Sequence, residues 1–153
     1  MKSEYELIEA HVFRETKGGI EFLLLERSEK EIFPGLWQMV SGKIRDNEKA
    51  YEAALREIKE ETGLTPGKFW VAPNVNSFYS PETDSLSYLP VFAAKVSADC
   101  EVKLSEEHSE FLWAEPEEAK KLLAWPGQKK SIDIISEYFT KRSDLLKFIE
   151  IML

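Results

Sequence analysis

Glu57, Glu60 and Glu61 lie three and four positions apart beside Arg56, in a 153-residue chain with only two histidines and one cysteine. At roughly 100° of rotation per residue, a helix brings these carboxylates together within about one third of its circumference. Oxygen-only donors suit a hard cation such as Mg2+, which makes this face the best candidate in the chain for a metal site. An acid-rich amphipathic helix with a solvated charged side would carry the same three residues, so the helix alone leaves both readings open.

The flanking residues give that helix a shape. Ala50 and Ala53 share the acidic arc, where small side chains would leave space for a large group approaching the metal. Tyr51, Ala54, Leu55, Ile58 and Thr62 read as the buried stripe, with Glu48, Glu52, Arg56 and Lys59 on the remaining side. Glu52 and Arg56 form an i, i+4 pair. Asp46 or Asn47 is suited to cap the start and Gly63 the end, giving a helix of about four turns.

The acids must be positioned by strands on either side. Leu7 to Phe13 alternates loosely, Lys17-Gly18-Gly19 makes a turn, and Ile20 to Leu25 is an apolar run suited to a central strand, so a hairpin is the simplest connection. After a polar loop from Glu29 to Pro34, Leu36 to Ile44 reads as one extended segment leading into the helix. Beyond Thr65-Pro66-Gly67, Phe69 to Phe78 and Tyr88 to Val96 look like a strand pair joined by a loop from Tyr79 to Ser87, with Pro90 near the start of the second strand. Phe111 to Ala114 is a short strand. Glu115 to Leu123 and Ser131 to Phe139 read as amphipathic helices separated by Trp125-Pro126-Gly127, and Asp144 to Leu153 continues helical. One helix within the strand order and others near the end indicate an α/β fold layered as an α/β/α sandwich.

Composition excludes several classes. With 43% apolar and 31% charged residues, the chain can bury a core and is not compositionally disordered. No apolar run approaches the roughly 20 residues needed to span a bilayer, and the opening MKSEYELIEA has no signal-peptide pattern. The single Cys100 cannot form an internal disulfide, which fits a reducing cytoplasm. A formal charge of -8 argues against unspecific nucleic-acid binding and makes a bridging cation more necessary for any polyphosphate substrate. One domain over residues 1–153 is the expected organisation.

The spacing from Gly42 to Leu64 carries more than the helix does. Gly42, five residues, Glu48, seven residues, then Arg56, Glu57, Ile58, Lys59, Glu60, Glu61, Thr62, Gly63 and Leu64 resemble the Nudix (MutT-type) hydrolase motif at every fixed position. The resemblance implies a mixed, curved sheet covered by the motif helix on one side and a C-terminal helix on the other, from roughly Glu6 to Phe139. It implies Mg2+, or Mn2+ in its place, held by Glu57, Glu60, Glu61 and the Gly42 backbone. Glu57 is then the general base, Arg56 orients Glu57, and Glu48 is structural. It also implies hydrolysis of a phosphoanhydride in a small nucleotide-type substrate, and it allows a homodimer through the C-terminal helices. Some Nudix-like folds bind nucleotides without cleaving them, usually after losing motif acids, but every acid is present here.

The rest of the site comes from outside the motif. In Leu104 to Trp113, Glu106, Glu107 and Glu110 precede a strand, and the acid-His pair Glu107-His108 resembles the supplementary ligand or base of triphosphate-cleaving family members. Either a solvated acidic loop or a functional acid fits Glu107, and the His108 ring could brace that loop. Arg27, Lys30, Lys43 and Arg45 approach the motif from the N-terminal side as phosphate partners, Arg27 and Lys43 foremost. Phe33, Trp37 and Tyr79 could stack on a base, with core packing as the alternative for each and Gln38 facing the pocket. FPGLWQMVSGK before the motif, with LSEEHSEFLW and WPGQKKS after it, resembles bacterial dATP and dihydroneopterin triphosphate pyrophosphohydrolases. That ranks a nucleoside or pterin triphosphate first. FYSPE resembles a loop of ADP-ribose pyrophosphatases, so ADP-ribose or another nucleotide sugar follows, and dinucleoside polyphosphates stay open.

Overall fold

The computed structural model describes residues 1–153. Eight strands form one mixed sheet: β1 (Lys2–Glu4), β2 (Leu7–Thr16), β3 (Gly19–Arg27), β4 (Trp37–Gln38), β5 (Val40–Lys43), β6 (Lys68–Ser80), β7 (Ser85–Lys95) and β8 (His108–Ala114). The helices are α1 (Ala50–Thr62), α2 (Pro116–Leu122) and α3 (Pro126–Lys141), followed by a short 3-10 helix at Ser143–Phe148. The central strand β2 runs parallel to β7 along one edge. Its other edge is shared, since β5 pairs with Leu7 to Ala10 and β3 with Phe13 to Thr16. The sheet therefore splits where β5 and β3 diverge from β2, and α1 follows directly from β5.

Period-2 alternation sorts the apolar residues onto two faces. Ile8, Ala10, Val12, Leu23, Leu25 and Val40 pack under Ala53, Ala54 and Ile58 of α1. Their immediate neighbours Phe13, Phe22, Leu24, Val91 and Ala93 pack against Ala119, Leu123, Ile132 and Ile135 of α2 and α3. A strand buried on both faces explains the unbroken apolar stretch from Phe22 to Leu25. Full burial of Ile58 alone contributes roughly 1.5–3 kcal/mol. The expected α/β/α layering is the one observed.

Several boundaries differ from the pattern-based expectation. The segment Leu36 to Ile44 breaks at Met39, because β4 pairs with β3 while β5 pairs with β2. The β6–β7 hairpin reaches further than expected, to Ser80 and Ser85, and Pro90 lies inside β7 opposite Val75. The ladder shifts register between Val71 and Val75, around Pro73, so the irregularity accommodates missing donors in an otherwise long pair. Helix α3 starts at Pro126 instead of Ser131, with proline at the first turn, where its absent N–H costs nothing. Strand β8 starts at His108, and the C-terminus makes a 3-10 turn and a bridge from Glu150 to Trp70 instead of a longer helix. No helix is long and apolar enough to cross a membrane.

Candidate active site

Helix α1 carries the acids and is anchored at both ends. Lys49 is the N-cap, in place of Asp46 or Asn47, and its N–H donates to Glu52 Oε1 at 2.9 Å. Glu52 is thereby occupied, and the expected Glu52–Arg56 pair does not form. Gly63 ends the helix in the left-handed region at φ 74°, its N–H donating to the Lys59 carbonyl. Ala53 is fully buried in the core and gives no room beside the acids, contrary to expectation. Ala50 lines a separate apolar groove of about 420 Å3 with Tyr5, Ile44, Val75, Tyr88 and Pro90.

Arg56 ties α1 to β5. It donates to both oxygens of Glu48 at 2.7 and 2.9 Å, to Glu57 Oε1 at 2.7 Å and to the Lys43 carbonyl at 2.8 Å. The bidentate contact holds the Glu48 carboxyl down to about 2. Glu57 is thus fixed by Arg56 on one side and by Gly42 on the other: a Cβ at Gly42 would stand 2.6 Å from Glu57 Cγ and Oε1. The glycine is required for the close approach of that side chain. Glu60 is half-exposed and turned outward, to Arg56 at 3.3 Å and Arg45 at 3.4 Å.

Glu61 points the other way, into the protein. Its side chain is 2% exposed, and neither carboxyl oxygen has a hydrogen-bond partner. Burial first, then the adjoining Glu57 carboxyl and the charge of Glu107, push its pKa up to about 10, against an opposing pull from Arg27. Glu107 is raised too, by burial first and then by Glu57. His108 Nδ1 lies 3.7 Å from Glu61 Oε1, but burial and the Arg27 charge lower the ring to about 4. Neutral imidazole facing a protonated carboxyl is a polar contact, not an ion pair.

Glu61, Glu107 and His108 each bring one potential ligand atom within 4.8 Å of the others. Orphaned buried oxygens surrounded by like charge are what a divalent cation would satisfy, and the predominantly oxygen donor set fits a hard one. Binding would drive the proton off Glu61.

The remaining residues are positioned by β3 and its partners. A register shift opposite Glu26 and Arg27 sets His108 across from Arg27, and the Ser28 N–H donates to the Glu107 carbonyl at 2.9 Å, so the acidic loop is pinned to the end of β3. Arg27 donates to the Ile32 carbonyl at 2.6 Å and to Gln38 Oε1 at 3.3 Å. Of the residues expected at the site, Glu57, Glu61, Glu107, Arg56 and Arg27 come together. Lys43 contributes its carbonyl to Arg56 while its side chain is exposed. Trp37 does not join them: it is opposite Glu26 in the ladder and packs on the α2/α3 face, bridging to Leu123. Tyr79 also stands apart, near the tip of the β6–β7 hairpin with its hydroxyl on Asp84. His108 is a direct neighbour of Glu61, and Gln38 joins the site through the far side of that ring, a connection the sequence pattern does not indicate. The register of β4 and β8 on β3, which the sequence does not display, joins them.

Residues 9–134 match the model of the NUDIX domain. A bis(5'-nucleosyl)-tetraphosphatase (asymmetrical) from Caenorhabditis elegans is 32% identical over 113 residues, covering 72% of this chain and 79% of that protein. The nucleoside triphosphatase NudI of Escherichia coli is 28% identical over 107 residues, covering 65% of this chain and 76% of its own. Among solved structures, a C. elegans Ap4A hydrolase binary complex superposes with a TM-score of 0.73 at 26% identity, covering 86% of this chain and 95% of that one. With the matched domain enclosing the motif helix, the buried acids and the arginine clamp, this chain belongs to the Nudix family and is a pyrophosphohydrolase acting on nucleoside phosphates.

Proposed function

We propose that the enzyme hydrolyses a nucleoside, deoxynucleoside or pterin triphosphate to the monophosphate and pyrophosphate, using Mg2+ or Mn2+. The buried, unpartnered carboxyl of Glu61 carries the reading, because such an acid with Glu57 and Glu107 beside it and Arg27 nearby suits a cation and a polyanion together. Glu57, Glu60, Glu61 and the Gly42 carbonyl would hold the metal, with Glu60 leaving its arginine partners to do so. When bound, the cation neutralises phosphate oxygens and acidifies a coordinated water. Water attacks phosphorus, the anhydride P–O bond breaks, and pyrophosphate leaves. Glu57 takes the water proton, with Arg56 keeping its carboxylate aligned and Glu107 as supplementary acid. Arg27 and Lys43 take phosphate oxygens. With Trp37 packed on the opposite face, Phe33, exposed on the loop after Arg27, is the better base-stacking residue. The free thiol of Cys100 is consistent with a reducing cytoplasm.

The 32% identity to a tetraphosphatase favours a second reading, in which a dinucleoside tetraphosphate is cut unequally into nucleoside mono- and triphosphate. Both readings release a nucleoside monophosphate and differ in the leaving group. A panel of nucleoside and deoxynucleoside triphosphates, dihydroneopterin triphosphate, diadenosine tetraphosphate and ADP-ribose, assayed with Mg2+ and product identification, separates them. Triphosphates are expected to turn over with the highest kcat/KM and to yield pyrophosphate. Preferential cleavage of the tetraphosphate or of ADP-ribose would overturn the first reading.

A further inference from the structure

Both Glu61 carboxyl oxygens and His108 Nδ1 are buried without a hydrogen-bond partner, and they face each other. By count of donor atoms, Glu61, Glu107 and His108 form a mixed nitrogen and oxygen site, in which the imidazole would be a metal ligand. The other ring nitrogen decides against it. His108 Nε2 is 2.9 Å from Gln38 Nε2 in a buried contact, and Gln38 Oε1 is 3.3 Å from Arg27 Nη1. A guanidinium only donates, so the amide oxygen of Gln38 must face Arg27 and its NH2 must face the ring. The NH2 also only donates, so His108 Nε2 accepts, and the proton of the neutral ring resides on Nδ1. Arg27 is itself held by the Ile32 carbonyl and by Glu31, so this sequence of donors starts from a fixed end.

We propose that Gln38 is a positioning residue: anchored on Arg27, it fixes His108 with a proton on Nδ1, so that the ring steers the Glu61 carboxylate and cannot bind the metal itself. The proposal rests on the reading of Glu61 as a metal ligand. A protonated ring nitrogen has no lone pair to give, and the site stays all-oxygen, as a hard cation prefers. Closing the 3.7 Å separation by less than about 1 Å would bring Nδ1–H into hydrogen-bond range of Glu61. Neighbours of this kind orient ligands and typically alter metal affinity by about 10- to 100-fold when removed.

The tautomer is read by nitrogen-15 NMR of the metal-free protein, whose two histidines are told apart with a His108→Gln variant. Wild type is expected to show His108 protonated at Nδ1 and bare at Nε2, and the reverse overturns the proposal. Gln38→Glu replaces the donor by an acceptor, so His108 Nε2 is expected to become protonated; an unchanged Nε2 counts against the lock. In Gln38→Met the ring is released to offer a nitrogen donor, and the ratio of Zn2+ to Mn2+ affinity is expected to rise by about tenfold or more, whereas an unchanged ratio refutes the claim that Gln38 keeps the ring off the metal. If either variant fails to fold, the wild-type tautomer decides. Failure of the hydrolase reading would appear separately, as absent turnover by wild type with Mg2+.

Discussion

Glu61→Gln should make the metal-free protein more robust towards alkaline pH while removing its activity. In the wild type, the native state keeps a proton on Glu61 that the unfolded chain has released, between the ordinary carboxyl value of 4.5 and the folded value of about 10. Stability from this group is therefore fully present below about pH 4.5 and declines as pH rises through the window. Glutamine does not titrate, so the variant lacks that slope. The stability difference between the two proteins should widen by at most about 3 kcal/mol from about pH 6 to about pH 8, in favour of the variant. Urea unfolding with a chelator present measures it at each pH. Saturating Mg2+ should reverse the order: at about 100 times the dissociation constant it adds roughly 2.7 kcal/mol to a protein that binds it. The variant should gain little and lose several kcal/mol of transition-state stabilisation, on the order of a thousandfold in kcat. Parallel pH profiles for the two metal-free proteins would refute the buried, proton-holding carboxyl. Retained Mg2+-dependent turnover would refute the role given to Glu61.

Two further outcomes follow from the site geometry. Gly42→Ala drives a methyl group into the space of Glu57, 2.6 Å from its Cγ and Oε1, and should lower kcat by about a hundredfold, with unfolding by urea shifted by no more than about 1–3 kcal/mol; near-wild-type kcat would show that Glu57 can act from elsewhere. Glu107→Gln should slow turnover more than Glu106→Gln, because Glu107 senses the charges of Glu57 and Arg27 whereas Glu106 is outside the Glu61 cluster. Equal, small effects in steady-state assays would remove Glu107 from the site.

How much of this arrangement is legible in the sequence depends on whether one element or several must be known. The spacing of Glu57, Glu60 and Glu61 is local, so their common helix follows from periodicity. Their division does not: Glu61 turns inward to His108 at the start of β8, and Glu60 turns outward to Arg45 and Arg56. Arg56 as the orienter of Glu57 is likewise a neighbour relation within α1, whereas its hold on the Lys43 carbonyl requires the docking of α1 on β5. Trp37 and Gln38 show the limit most clearly. Side chains in a strand alternate, so a pair of adjacent residues must face opposite sides, but the sequence of a two-residue strand cannot say which. Pairing with β3 decides it: Gln38 lies opposite Leu25 on the α1 face, and Trp37 lies opposite Glu26 on the other. The same parity aligns Arg27 with His108 through a register shift in β8. The motif thus fixes where phosphoanhydride chemistry can occur, and the strand registers around it select the side chains that surround the reacting group.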